Sequence, residues 1–202
     1  MSALVFFTII SSSLFQAGWN FYLKKIDTEK ASFLLMSWLF LGVIATPFTL
    51  FFLDKPFSWS WLPFILCTGF AQGIYLVVLC WAYTVADISL VFPIARGAAV
   101  GLSTLVLTLM GAHTMNTVGT VGILGVVIGA ICLGSVEIRN RRSRTGIFLS
   151  LALALIVTSY TVIDSFGAQE IPKTFYVVVM NLTAPLFALP FLWKTRAGLI
   201  KE

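Results

Sequence analysis

Apolar residues in this chain run in long uncharged stretches, separated by short charged or Gly/Asn/Pro-containing breaks. The first charge is Lys24, and the stretch after it runs from residue 31 to Asp54. No charge occurs from Pro56 to Ala86, and between Gly97 and Val136 there is no Asp, Glu, Lys or Arg, only His113. The runs Thr145 to Ile163 and Thr174 to Trp193 are also clean. A bilayer core about 30 Å thick needs about 20 apolar residues in a helix. Breaking the chain at its charged and turn-forming clusters predicts seven spans, at about 3–23, 31–53, 62–85, 88–110, 117–136, 146–166 and 174–193. The fourth and fifth are divided by a polar, glycine-containing turn from Gly111 to Gly119.

Helix is the expected state, because lipid supplies no partners for free backbone groups. A transmembrane barrel would alternate apolar and polar residues. Leu105–Met110 and Ile123–Ile128 do not. The first span lacks a basic leader and is too long for the apolar region of a cleaved signal, so it is expected to remain as a helix.

Composition agrees with the pattern. The 202 residues are 59% hydrophobic and 10% charged, with a mean hydropathy of +0.99. A soluble domain carries roughly 25% charged residues. A soluble enzyme, a nucleic-acid-binding domain and a disordered tail are excluded, leaving an all-α integral membrane protein of about seven helices. The net charge of +5 reads as topology. Ten basic residues (Lys24, Lys25, Lys30, Arg139, Arg141, Arg142, Arg144, Lys194, Arg196, Lys201) fall on one side of the seven spans. Lys55 and Lys173 fall on the other, and Arg96 lies within a span. The bias predicts a plasma (inner) membrane protein with its N-terminus outside and its C-terminus cytoplasmic.

The residue inventory removes several chemistries. Cys67, Cys80 and Cys132 are scattered in apolar helix and read as small buried residues. His113 is the one histidine and stands in a turn, so no metal site, cofactor or catalytic set is expected. The last span carries no lysine for a retinal Schiff base.

Polar residues inside spans are the remaining candidates. Asp87 and Ser89 stand where a fourth-helix N-cap is needed. Pro93 removes a backbone bond and should kink that helix. Arg96, eight residues beyond Ile88, lies about 12 Å deep at 1.5 Å per residue. An arginine there costs at least ~2.5–3.5 kcal/mol. It either snorkels to the interface or binds an anionic or polar group in a central cavity. Gln16 and Asn20 share a face of the first helix, beside Trp19, which is equally readable as an interfacial belt residue. Tyr75, Trp81 and Tyr83 decorate the third helix, with Tyr83 expected at the interface. Asp164, one turn beyond Tyr160, marks the membrane boundary, serves as a proton or cation site, or pairs with Arg96. Gly122, Gly125 and Gly129 on the fifth helix predict close helix packing, within the chain or between copies.

Trp19-Asn20 and Tyr160-Thr161 occupy similar settings 141 residues apart. That spacing suggests a five-helix unit over 1–136, a basic linker over 137–145 and the start of an inverted second unit over 146–202. Gly18-Trp-Asn-Phe-Tyr-Leu-Lys24, Asp87-Ile-Ser-Leu-Val-Phe-Pro-Ile-Ala-Arg-Gly97 and Tyr160-Thr-Val-Ile-Asp164 resemble the EamA-type transporters of the drug/metabolite transporter superfamily. The resemblance covers nearly the whole chain, and the stretch ending at Gly97 is its most specific part. It implies a carrier of five plus five helices that exports or exchanges small metabolites or drug-like solutes by alternating access. It also places Trp19, Asn20, Tyr75, Pro93, Arg96, Tyr160 and Asp164 at the substrate pathway. The chain departs from the family in having Gly111-Ala112-His113 where many relatives carry Gly-Glu. Ten-helix relatives commonly keep both termini in the cytoplasm, against the charge bias here. The segment from Lys194 to Glu202 resembles the loop before an eighth helix, so the second unit is expected to be incomplete and inactive alone unless completed. Expected partners are the bilayer, a small-molecule substrate, and a second copy or partner chain. A non-transporting membrane scaffold or interaction subunit is the alternative.

Overall fold

The computed structural model describes residues 3–26, 30–53, 55–112, 114–137 and 141–199, with side chains described for 4–26, 30–53, 55–112, 114–132 and 144–191. His113 and Arg139 lie outside the described residues. Seven α-helices follow in order: α1 Ala3–Lys25, α2 Lys30–Phe51, α3 Leu62–Val85, α4 Ile88–Leu109, α5 Thr117–Glu137, α6 Arg141–Glu170 and α7 Lys173–Leu199. A single 3-10 turn, Trp59–Trp61, leads into α3. No strand occurs among the described residues.

The expected spans and the observed helices agree to within a few residues, except that α6 starts earlier, inside the expected basic linker, and α7 runs further. Among the described residues, six helices are long and apolar enough to cross a membrane. The seventh, α5, counts as a shorter apolar helix over its described side chains, Thr117–Cys132.

Local chemistry sets the breaks. Gly111 closes α4 in the left-handed region, at φ 70°. Its amide bonds to the Thr108 carbonyl and the Ala112 amide to that of Leu107, the paired bonds of a Schellman end. Asn116 then starts α5, its side chain accepting from the Gly119 amide at 2.8 Å. The α3–α4 corner differs from expectation. Asp87 occupies the N-cap of α4 without a side-chain cap bond, and its carboxylate instead faces Lys24 at 3.8 Å. Lys24 donates to the carbonyls of Tyr83 and Ala86, at 3.0 and 2.8 Å, and so satisfies the end of α3 from α1.

Sequence neighbours are not the main packing neighbours. α6 lies against both α3 and α4, α7 against α3 and α2, and α5 against α4. Across the bundle the order is therefore α5, α4, α6, α3, α7, α2. The two units drawn by the repeat reading thus interleave. α1 touches α2 and α4 lightly and stays mostly exposed. The main core joins Leu76, Leu79, Val91, Ala95, Leu149, Leu153 and Ala184. A smaller one holds Trp61, Ile65, Ile171 and Tyr176 at the far end of α3.

Glycine permits the closest approaches. A Cβ on Gly73 would stand 2.8 Å from Phe187 Cβ and 3.0 Å from the Ala184 carbonyl oxygen, so α3 and α7 nearly touch there. Gly97 and Gly101 on α4 admit Ala130 and Val127 of α5 in the same way. The expected packing glycines Gly122, Gly125 and Gly129 have nothing within 4 Å. Their intrachain packing role is corrected: α5 meets α4 through Val126, Val127 and Ala130, which turns its glycines outward.

Candidate functional site

Polar residues recur on the inner side of α3 at Thr68, Gln72, Tyr75 and Tyr83, all buried. The three- and four-residue intervals from Thr68 to Tyr75 place these on one helical face. Each end and the middle of this seam gathers partners from other helices.

At the Lys24 end, Tyr83 donates to Asn20 Oδ1 at 2.8 Å, and Asn20 Nδ2 donates to the Gln16 carbonyl at 2.7 Å. Both side chains are about 1% exposed. Tyr83 is therefore no interfacial belt residue. Its ring fills the core and its hydroxyl needs a buried partner, which Asn20 supplies. Trp19 is half-buried and packs against the main core beside this pair.

In the middle, Tyr75 and Tyr160 meet edge to face, with ring centroids 6.0 Å apart. Arg96 approaches both hydroxyls from α4 while its guanidinium lies 5.8 Å from the Phe92 ring. Among the described residues, no carboxylate stands within ion-pair distance of Arg96. Three of the expected pathway residues thus converge, drawn from α3, α4 and α6. Pro93 lies one turn before Arg96 inside a helix that continues through it, and its missing amide frees the Ser89 carbonyl.

At the Trp61 end, Asp164 does not pair with Arg96. Thr68 donates to Asp164 Oδ1 at 2.6 Å, and Tyr176 donates to the same oxygen at 2.9 Å. The two hydroxyls lie 3.0 Å apart. This triangle ties α3, α6 and α7. Gly167 makes room for it, since a Cβ there would fall 2.7 Å from the Tyr176 hydroxyl. Asp164 is partly buried and follows Tyr160 by four residues, so the middle and end clusters share one face of α6.

Sequence reasoning missed Thr68, Gln72 and Tyr176. The first two were visible as a 68–72–75 polar face. Tyr176 carries no such signal, because an aromatic residue just after Lys173 reads as an interface anchor. A separate cavity of about 500 Å³ lies at the α4–α5 turn, lined by Thr104, Thr114, Met115, Asn116, Gly119 and Ile123. It contains none of the expected pathway residues. No group of His, Cys, Asp and Glu able to hold a metal ion occurs among the described residues. Compared with protein-family models, with curated proteins and with solved structures, the chain matches none.

Proposed function

We propose that this chain is a membrane-embedded carrier of small solutes, of the kind its resemblance to EamA-type transporters implies, with Tyr75, Arg96 and Tyr160 contacting the solute. The observation that carries this reading is Arg96, placed by α4 inside a bundle of apolar helices with hydroxyl and aromatic neighbours but no described carboxylate. An unpaired cation at that depth is costly in lipid. An anionic or strongly polar solute group offsets the cost.

The packing supports the inverted-repeat part of the reading. A two-fold relation between the units would bring α2 and α7 together at its axis, and those helices do pack. With ten basic residues on one side of the spans, the N-terminus is outside. Cysteine labelling at an engineered site near residue 2 tests this. Labelling only from the cytoplasm would reverse the orientation.

Solute flux into liposomes holding the purified chain tests transport. Where the chain transports by itself, anionic and zwitterionic metabolites should cross, and Arg96→Ala should abolish that flux with the helices intact. A folded sample with no flux for any tested solute would sink autonomous transport. The runner-up, a non-transporting interaction subunit, draws on the exposure of α1 and of Gly122, Gly125 and Gly129. It predicts tolerance of Arg96→Ala and intolerance of Gly125→Leu in partner binding.

A further inference from the structure

The triangle of Asp164, Thr68 and Tyr176 has more hydrogen-bonding edges than its hydroxyl protons can fill. All three oxygen–oxygen separations, 2.6, 2.9 and 3.0 Å, are within bonding distance. An ionised Asp164 contributes no proton, and Thr68 and Tyr176 contribute one each. With both hydroxyls donating to Asp164 Oδ1, the Thr68–Tyr176 edge at 3.0 Å carries no proton. A third proton, on Asp164 Oδ1, removes the mismatch. The Thr68 hydroxyl then turns from Asp164 to Tyr176 and accepts from Asp164 instead, while Tyr176 still donates to Asp164, so each oxygen donates once and accepts once.

The two donated hydroxyl bonds favour an ionised Asp164, and burial without a described cation opposes them. Thr68 is fully buried and Tyr176 nearly so. The groups facing Asp164 from the packed helices are Thr68 on α3 and Tyr176 on α7, with Tyr160 one turn back on α6. Cys67 and Lys173 are exposed at the same end, and Arg96 on α4 is turned to Tyr75 and Tyr160. No described cation balances a carboxylate here. A partly buried, unpaired carboxylate in an apolar bundle is costly, and taking up a proton removes that cost. A metal ion is a poorer occupant, because the three oxygens are already bonded to one another and too few in number.

We infer that Asp164, Thr68 and Tyr176 form a proton-binding site whose hydrogen-bonded ring is complete only when Asp164 is protonated. Loss of the proton opens one edge of the ring and so loosens the tie between α3 and α7. That this proton is coupled to solute movement rests on the carrier reading above; the binding site does not.

Infrared difference spectroscopy on the full chain in liposomes, acid minus alkaline, tests it. The other seven Asp and Glu side chains also protonate in acid, so the signal is the wild-type minus Asp164→Asn double difference. It should hold the carbonyl band of a protonated carboxylic acid that titrates away with rising pH, above the range of exposed carboxylates. Asp164→Asn should lose that band entirely, and Tyr176→Phe should shift it, with helix content by circular dichroism unchanged in both. An empty double difference in the folded chains, or a band in it that titrates with the exposed carboxylates, overturns the site. Solute flux on the same vesicles separates the two readings. A titrating band without flux supports the proton site and overturns autonomous transport by this chain. Flux without a titrating band overturns the proton site and leaves the carrier standing.

Discussion

α3 and α5 are both apolar helices carrying two glycines four residues apart, and the tertiary structure treats them in opposite ways. Gly69 and Gly73 on α3 lie against Thr183, Phe187 and the Ala184 carbonyl of α7. Gly125 and Gly129 on α5 face open space. The difference lies in the residues around the glycines. On α3, Thr68, Gln72 and Tyr75 share the inner side and need buried partners, which holds that side inward. α5 carries no comparable polar side chain from Val121 to Cys132, so nothing anchors its glycine face to a neighbour. Glycine spacing permits close approach, whereas polar side chains decide which face is used.

The largest expected effect tests this contrast directly. Gly73→Ala places a methyl against the α7 backbone and should destabilise the bundle by about 1–3 kcal/mol, the usual range for overpacking. Gly129→Ala meets nothing and should stabilise it by roughly 0.5–1 kcal/mol through helix propensity. Unfolding in mixed micelles with increasing denaturing detergent measures both. Equal effects in the two variants would break the comparison.

A smaller effect is expected at the polar triangle. A double-mutant cycle of Thr68→Val with Tyr176→Phe should give a coupling of about 0.6 kcal/mol, up to ~1.7, the range found for hydrogen bonds between membrane helices. Zero coupling would mean that the two hydroxyls act independently on Asp164. Tyr83→Phe leaves Asn20 without its partner and should cost about 1 kcal/mol in the same assay, since a buried acceptor loses its donor. Tyr22→Phe, on an exposed side chain, is the control and should change nothing.

Apart from that control, the smallest effect should be Asp87→Asn. Asp87 is 73% exposed and meets Lys24 at 3.8 Å, so the pair contributes little. Lys24→Met should cost more, because it also removes two bonds to the free carbonyls ending α3. If Asp87→Asn proves the more damaging, the ion pair rather than the backbone cap secures that corner.

Much of the fold was legible in the chain. Run lengths of uncharged residues located seven helices, because a helix in lipid satisfies its own backbone whatever surrounds it. Gly111 and Asn116 marked a break for the same local reason. The site was legible in part. Tyr75, Arg96 and Tyr160 stood out as polar groups in apolar runs, and the bundle brings them together. The partner of Asp164 was not legible. Thr68 is 96 residues away and Tyr176 twelve, and no local pattern distinguishes them from Arg96 as candidates.

What the sequence determined by itself is everything fixed by one segment and its solvent: helix count, approximate ends, charge asymmetry and the positions of costly polar groups. What only the tertiary structure decided is which faces meet. α6 inserts between α3 and α4, α7 covers Gly69 and Gly73, and α5 turns its glycines outward. For the membrane-embedded chain proposed above, the physical reason is that lipid solvates any apolar face about as well as another helix does. Helix pairing therefore depends on shape and on the partners of a few polar atoms, and both are properties of two segments together.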